Sequence, residues 1–161
     1  LTIGRYFTEM LDPSMDWDDV AEMVAEWGGP FCLKGVMRAE DARRAADIGC
    51  AGVVVSNHGG RQLDGARAGF DQLDEIVQAA GDRLDVLLDG GVTRGSHVLK
   101  ALSLGAKAVG LGRYYLFPLA AAGQAGVERA LALMQAEILR DMRLMGARRV
   151  ADLSRANLRF R

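Results

Sequence analysis

Apolar and polar positions along the chain fall into repeating blocks. A short apolar run is followed by a polar turn and then by a stretch of helical periodicity. The runs at 30–34, 51–55, 85–88 and 106–111 predict four strands, the second carrying Val53, Val54 and Val55 in succession. Helices are expected over 38–48, where Ala42, Ala45, Ala46 and Gly49 suit close packing on a sheet, and over 70–80, with Leu73, Ile76 and Val77 on one face. A further helix is expected over 94–104, with Val98, Leu99, Ala101 and Leu102 apolar. Two more follow over 115–122 and 126–144, then a short turn or helix near 150–153. Residues 1–29 read as a lead-in segment with a helix. Ser14 and the acidic group Asp12, Asp16, Asp18, Asp19 and Glu22 look like its N-cap and negative first turn.

Continuous rather than alternating apolar strands predict a sheet covered on both faces. Strand–helix alternation predicts parallel pairing with right-handed crossovers. One α/β domain over 1–161 is expected, with four βα units in 30–113 and C-terminal helices in 114–161. Such units suit an open doubly wound sheet or half of a (β/α)8 TIM barrel. Every predicted strand ends in a chemically loaded segment: Lys34-Gly35, Ser56-Asn57-His58-Gly59-Gly60, Asp89-Gly90-Gly91 and Gly110-Leu111-Gly112-Arg113. In a barrel all strand ends converge on one centre, whereas an open sheet concentrates its chemistry at one switch point. The half barrel is therefore favoured. No Gly-x-Gly-x-x-Gly follows a strand with an acidic residue about 20 positions on, which disfavours a dinucleotide fold.

Composition narrows the function classes. Half of the 161 residues are apolar, a quarter are charged and the net charge is −1, so no basic surface argues for nucleic acid. No apolar run approaches the ~18–20 residues of a membrane span, and no signal-peptide pattern opens the chain. The expectation is a cytoplasmic protein. A first residue of Leu1 reads as a fragment or a processed piece. Cys32 and Cys50 lack metal-ligand spacing and read as reduced core residues; Trp17 and Trp27 read as packing residues. No metal site is expected.

At the chemical positions two readings stand side by side. Asp89-Gly90-Gly91 and Gly112-Arg113 are tight βα turns, or backbone cradles for a phosphate with Arg113 as a bidentate partner. Lys34 is a snorkelling surface lysine, or a cation facing an anionic or electron-rich ligand. His58 is a solvated loop histidine or a base near neutral pH. Arg61, three residues on, suits a carboxylate. His97 reads as a solvated helix residue.

These residues together resemble the C-terminal half of the FMN-dependent 2-hydroxy-acid dehydrogenases and oxidases, the family of glycolate oxidase, flavin L-lactate dehydrogenase and mandelate dehydrogenase. The segment from Ser56 to Asp64 carries the resemblance. Lys34-Gly35, Asp89-Gly90-Gly91-Val92, Lys100-Ala101-Leu102, Leu104-Gly105-Ala106 and Gly112-Arg113 support it in order and spacing. The resemblance implies strands five to eight of the barrel and FMN as cofactor. Lys34 would meet the flavin pyrimidine edge and Ser56 would hydrogen-bond the flavin. Asp89, Gly91, Gly112 and Arg113, with Arg94 as a further candidate, would hold its ribityl and phosphate parts. His58 would take the proton from a small 2-hydroxy acid, and Arg61 would bind its carboxylate. The acid that pairs with the histidine and further flavin contacts would lie in strands one to four, so the chain alone should have little activity. An open half barrel should pair with the other half or with copies of itself as a homo-oligomer. The alternatives are a non-catalytic flavin- or phosphate-binding half barrel that oligomerises, and another phosphate-binding barrel enzyme such as an isomerase.

Thr93 stands where the resemblance calls for an arginine on the phosphate, and Arg94 follows it. FMN is therefore expected to be held more weakly than with both arginines. Thr93→Arg should tighten the FMN dissociation constant, read by flavin fluorescence quenching; equal constants would refute this.

Overall fold

The computed structural model describes residues 3–10 and 12–159. Its sheet holds β1 (Cys32–Val36), β2 (Gly52–Val55), β3 (Asp85–Leu88) and β4 (Ala108–Val109), all parallel and in the order β1-β2-β3-β4. The helices are α1 (Ile3–Met10), α2 (Trp17–Trp27), α3 (Ala39–Asp47), α4 (Gly69–Ala80), α5 (Gly95–Leu104) and α6 (Arg113–Met145). Helix α3 packs on α4, α4 on α5 and α5 on α6, which forms one helical layer. Sequential strand order with every crossover on one side is the winding of a barrel arc. A doubly wound sheet reverses its order and carries helices on both faces.

One-sided cover corrects the expectation of a sheet buried on both faces. Val53, Val55, Val86 and Leu88 lie beneath the helices, each at most 1% exposed, with Leu73 and Ile76 of α4 and Ala42 and Ala45 of α3. Residues of the other parity face outward from this core: Cys32, Lys34, Asp85 and Ala108 are exposed, and Val54 and Leu87 are half-buried. Cys32 is therefore not a core residue, whereas Cys50 is buried; both are free thiols.

Boundaries moved where local sequence was ambiguous. β1 starts at Cys32 rather than residue 30, because Pro30 has no N–H for the ladder, and it runs on through a register shift between Lys34 and Val36. β4 is shorter than the expected 106–111, spanning Ala108 and Val109, and it is the edge strand, with no strand paired to its outer side among the described residues. Asp16, not Ser14, caps α2: its carboxylate accepts from the Asp18 and Asp19 N–H groups, and Asp19 reaches back to complete a capping box. Ser14 donates to Asp12 instead. Trp17 packs against the core under Arg44, but Trp27 is 67% exposed and only its indole N–H is satisfied, by the Pro30 carbonyl. The two C-terminal helices form one run broken at Ala122 and Gly123, which have non-helical dihedrals. The expected turn near 150–153 is a 3-10 turn at Val150–Asp152, and a second follows at Arg155–Asn157.

Helix α6 is fastened to the start of α5. The Glu137 carboxylate accepts from Arg94 Nε at 2.8 Å, from Arg94 Nη2 and from the Gly95 N–H at 2.5 Å. It therefore satisfies an orphan amide at the α5 N-terminus from another helix. Gly95 makes this approach possible, as a Cβ there would lie 2.7 Å from the Ile138 nitrogen.

Leu73 is fully buried, so Leu73→Ala should cost about 2–5 kcal/mol in urea unfolding. The hydrogen bonds from Arg94, then that from Gly95, hold the Glu137 carboxyl down to about 2 from its ordinary 4.5. Its folded value is depressed, so this stabilisation is complete above the unfolded value and is lost as pH falls from about 4.5 to about 2. Glu137→Gln should lower the neutral-pH melting temperature by about a few degrees and flatten the acid limb of the stability profile. An unchanged limb would count against the contact.

Candidate active site

The period that hides Val53, Val55, Val86 and Leu88 turns the intervening residues to the open face. Ser56 continues the phase of Val54, Asp89 that of Leu87, and Lys34 lies in register with Val54. The three meet at the carboxyl edge of the sheet. Lys34 Nζ donates to Ser56 Oγ at 2.9 Å and lies 3.0 Å from Asp89 Oδ2. Ser56 is 1% exposed, and its Oγ also accepts the His58 N–H at 3.1 Å.

Gly35 brings the imidazole to this cluster. It has φ 99°, and a Cβ there would stand 2.9 Å from His58 Nε2, so the absence of a side chain lets the ring lie over the end of β1. His58 itself has φ 58°, the one left-handed non-glycine among the described residues. Such a conformation costs about 1–3 kcal/mol and persists where its surroundings over-determine it. Here Asn57 supplies much of the restraint. Its Oδ1 accepts the Gly60 N–H at 3.2 Å, and its Nδ2 donates to the Arg67 carbonyl at 3.1 Å, clasping both ends of the loop that carries Arg61. Asn57 is a functional residue outside the expected set, although Asx side chains commonly close turns on their own backbone.

Arg113 opens α6 and donates from Nη2 to the Gly59 carbonyl at 3.2 Å, bridging the ends of β2 and β4. A Cβ at Gly91 or Gly112 would meet nothing within 4 Å, so open space adjoins the backbone at both turns. Gly112 caps α6 without any side-chain hydrogen bond, and its carbonyl takes the Tyr115 and Leu116 N–H groups, so the Arg113 and Tyr114 N–H groups are left to face an anion. The α5 N-terminus differs, because Glu137 holds it.

The expected site residues thus divide. Lys34, Ser56, His58 and Asp89 are joined by contacts, and Arg113 reaches the loop beside them at Gly59, with Gly91 and Gly112 at the neighbouring turns. Arg61 is exposed in the clasped loop and, among the described residues, has no side-chain partner. Arg94 points its guanidinium at Glu137, away from this cluster. His97 is half-buried rather than simply solvated, and its Nδ1 accepts the Thr93 N–H at 3.4 Å. Desolvation pushes both thiols up, with Asp85 adding to the effect at Cys32 and Cys32 at Cys50, so neither is an activated nucleophile.

An ammonium, a buried hydroxyl, a guanidinium and two open glycine turns form a donor set that fits a phosphate-bearing flavin. Comparison with known proteins agrees. The profile of the FMN-dependent dehydrogenases matches residues 1–160. Pre-mycofactocin synthase of Mycobacterium tuberculosis is 49% identical over 96% of this chain and 39% of its own. L-lactate oxidase of Nostoc is 47% identical over 92% of this chain and 40% of its own. A mandelate oxidase crystal structure with benzoyl-formic acid superposes with a TM-score of 0.84 at 48% identity, covering 88% of this chain and 42% of that one. The chain thus spans about two fifths of the length of these relatives, and its four parallel βα units are half of a (β/α)8 barrel. It belongs to the FMN-dependent dehydrogenase family.

Proposed function

We propose that the protein carrying this chain oxidises a small L-2-hydroxy acid to the 2-oxo acid, with His58 as base and Arg61 as the carboxylate-binding residue. The observation that supports this reading best is the placement of the His58 imidazole over Gly35, beside the Lys34–Ser56–Asp89 cluster. The relatives named L-lactate oxidase and mandelate oxidase act on acids of this class.

FMN, when bound, supplies a two-electron acceptor. Lys34 offers a cation to the edge of the ring that gains negative charge, and Ser56 offers a hydroxyl. Arg113 and the Gly91 and Gly112 turns hold the phosphate-bearing end, while Arg94 serves the α5–α6 contact. Arg61 is free to form a bidentate pair with a carboxylate, which fixes the substrate carbon relative to His58. His58 then removes a proton.

We also propose that these four strands do not suffice by themselves. The open sheet face and the exposed Tyr115, Leu116, Phe117 and Leu119 at the start of α6 call for the rest of a barrel or for a second copy.

Anaerobic addition of a 2-hydroxy acid to the FMN-loaded protein should bleach the flavin. Loading without bleaching by lactate, glycolate or mandelate would favour a non-catalytic flavin-binding role. His58→Gln should lower kcat by about 10²–10⁴. Arg61→Met should act mainly on KM.

A further inference from the structure

The reading of Lys34 as the cation facing the flavin leaves its carboxylate neighbour unexplained. Lys34 Nζ has three N–H groups. One goes to Ser56 Oγ at 2.9 Å and a second faces Asp89 Oδ2 at 3.0 Å, so one remains for a ligand. The Ser56 oxygen accepts both Lys34 and the His58 N–H. Both its lone pairs are engaged, and it cannot follow Lys34 into another position without releasing the His58 backbone. Asp89 is also confined: its side chain is 23% exposed, and a Cβ at Gly110 would lie 3.1 Å from the Asp89 Cβ, so the chain leaving β4 passes directly beside it. The ammonium is thus held between two restrained partners, one of them a full negative charge.

We propose that Asp89 is a positioning residue for Lys34. It aims the third N–H of the ammonium at the flavin and attenuates the positive charge that the flavin experiences. This rests on the FMN reading above and assigns Asp89 a task beyond a contact with the ribityl chain. Two-electron reduction of the flavin with uptake of one proton adds one negative charge to the ring. A bare Lys34 would favour that charge strongly, whereas a Lys34 neutralised by Asp89 favours it less. The pair therefore keeps the flavin harder to reduce than Lys34 alone would.

The test is a reductive titration against a reference dye, using the FMN-loaded protein as its gene encodes it. Asp89→Asn keeps the shape and a hydrogen-bond acceptor but removes the charge. It should shift the reduction equilibrium about tenfold toward reduced flavin, a rise of about 30 mV for a two-electron couple. In a Lys34→Met background the same substitution should shift it by less than about a third of that, because the carboxylate acts through the ammonium. Asp89→Ser is a second neutral variant and should give the same shift of about 30 mV should the asparagine protein fold or load poorly. Equal shifts with and without Lys34 would mean that Asp89 acts on the flavin directly, and no shift would mean that it sets no charge; either overturns the proposal. Failure of the unsubstituted protein to bind FMN would overturn the flavin reading and this inference together. Normal loading with an unmoved potential would overturn this inference alone.

Discussion

One-sided burial of the sheet is the constraint from which the site follows. Val53, Val55, Val86 and Leu88 must all lie under the helices, and a strand has a period of two. The residues between them then have no choice of face. Ser56 and Asp89 emerge on the same side as Lys34, and parallel pairing brings their strand ends level. A slip of one residue in any strand would turn its polar member under the helices and bring a valine or leucine to the open face. The apolar core therefore specifies where the ammonium, the hydroxyl and the carboxylate meet.

Glycine does complementary work at the edge of that core. Gly35 clears the space into which His58 leans, and Gly110 lets the chain leaving β4 pass Asp89. Gly95 brings α5 against α6 so that Glu137 can cap it. The same contact separates the two arginines expected to hold phosphate. Arg113 stays at the mouth of the sheet, bound to the Gly59 carbonyl, while Arg94 is drawn to the helical layer. With Thr93 between Val92 and Arg94, Arg113 and the start of α6, which has no side-chain cap, are what this chain presents beside the Gly112 turn.

The open face gives the half barrel its chemical meaning. In a complete barrel, side chains from all strands fill the centre. Here Val54 and Leu87 stay half-buried, and Lys34 and Ala108 are exposed. The restraints around His58 nonetheless lie within these four strands: the Ser56 hydroxyl, the Asn57 clasp and the bridge from Arg113.

Much of this was legible in the sequence. The strand–helix alternation and the loaded strand ends favoured the half barrel, because local periodicity and turn chemistry act over short stretches of chain, whereas the cofactor class and the residues that gather around Lys34 came from the family resemblance carried by Ser56 to Asp64. Burial of each strand face was not legible. A run such as Val53-Val54-Val55 reads the same whether one side or both are covered, and for that reason Cys32 was misassigned to the core. The partners of long polar side chains were also beyond reach. That Asp89 meets Lys34, that Arg94 meets Glu137 and that Asn57 reaches Arg67 depends on which backbones approach within a few ångströms. Only the packing of helices on one face of the sheet decides that.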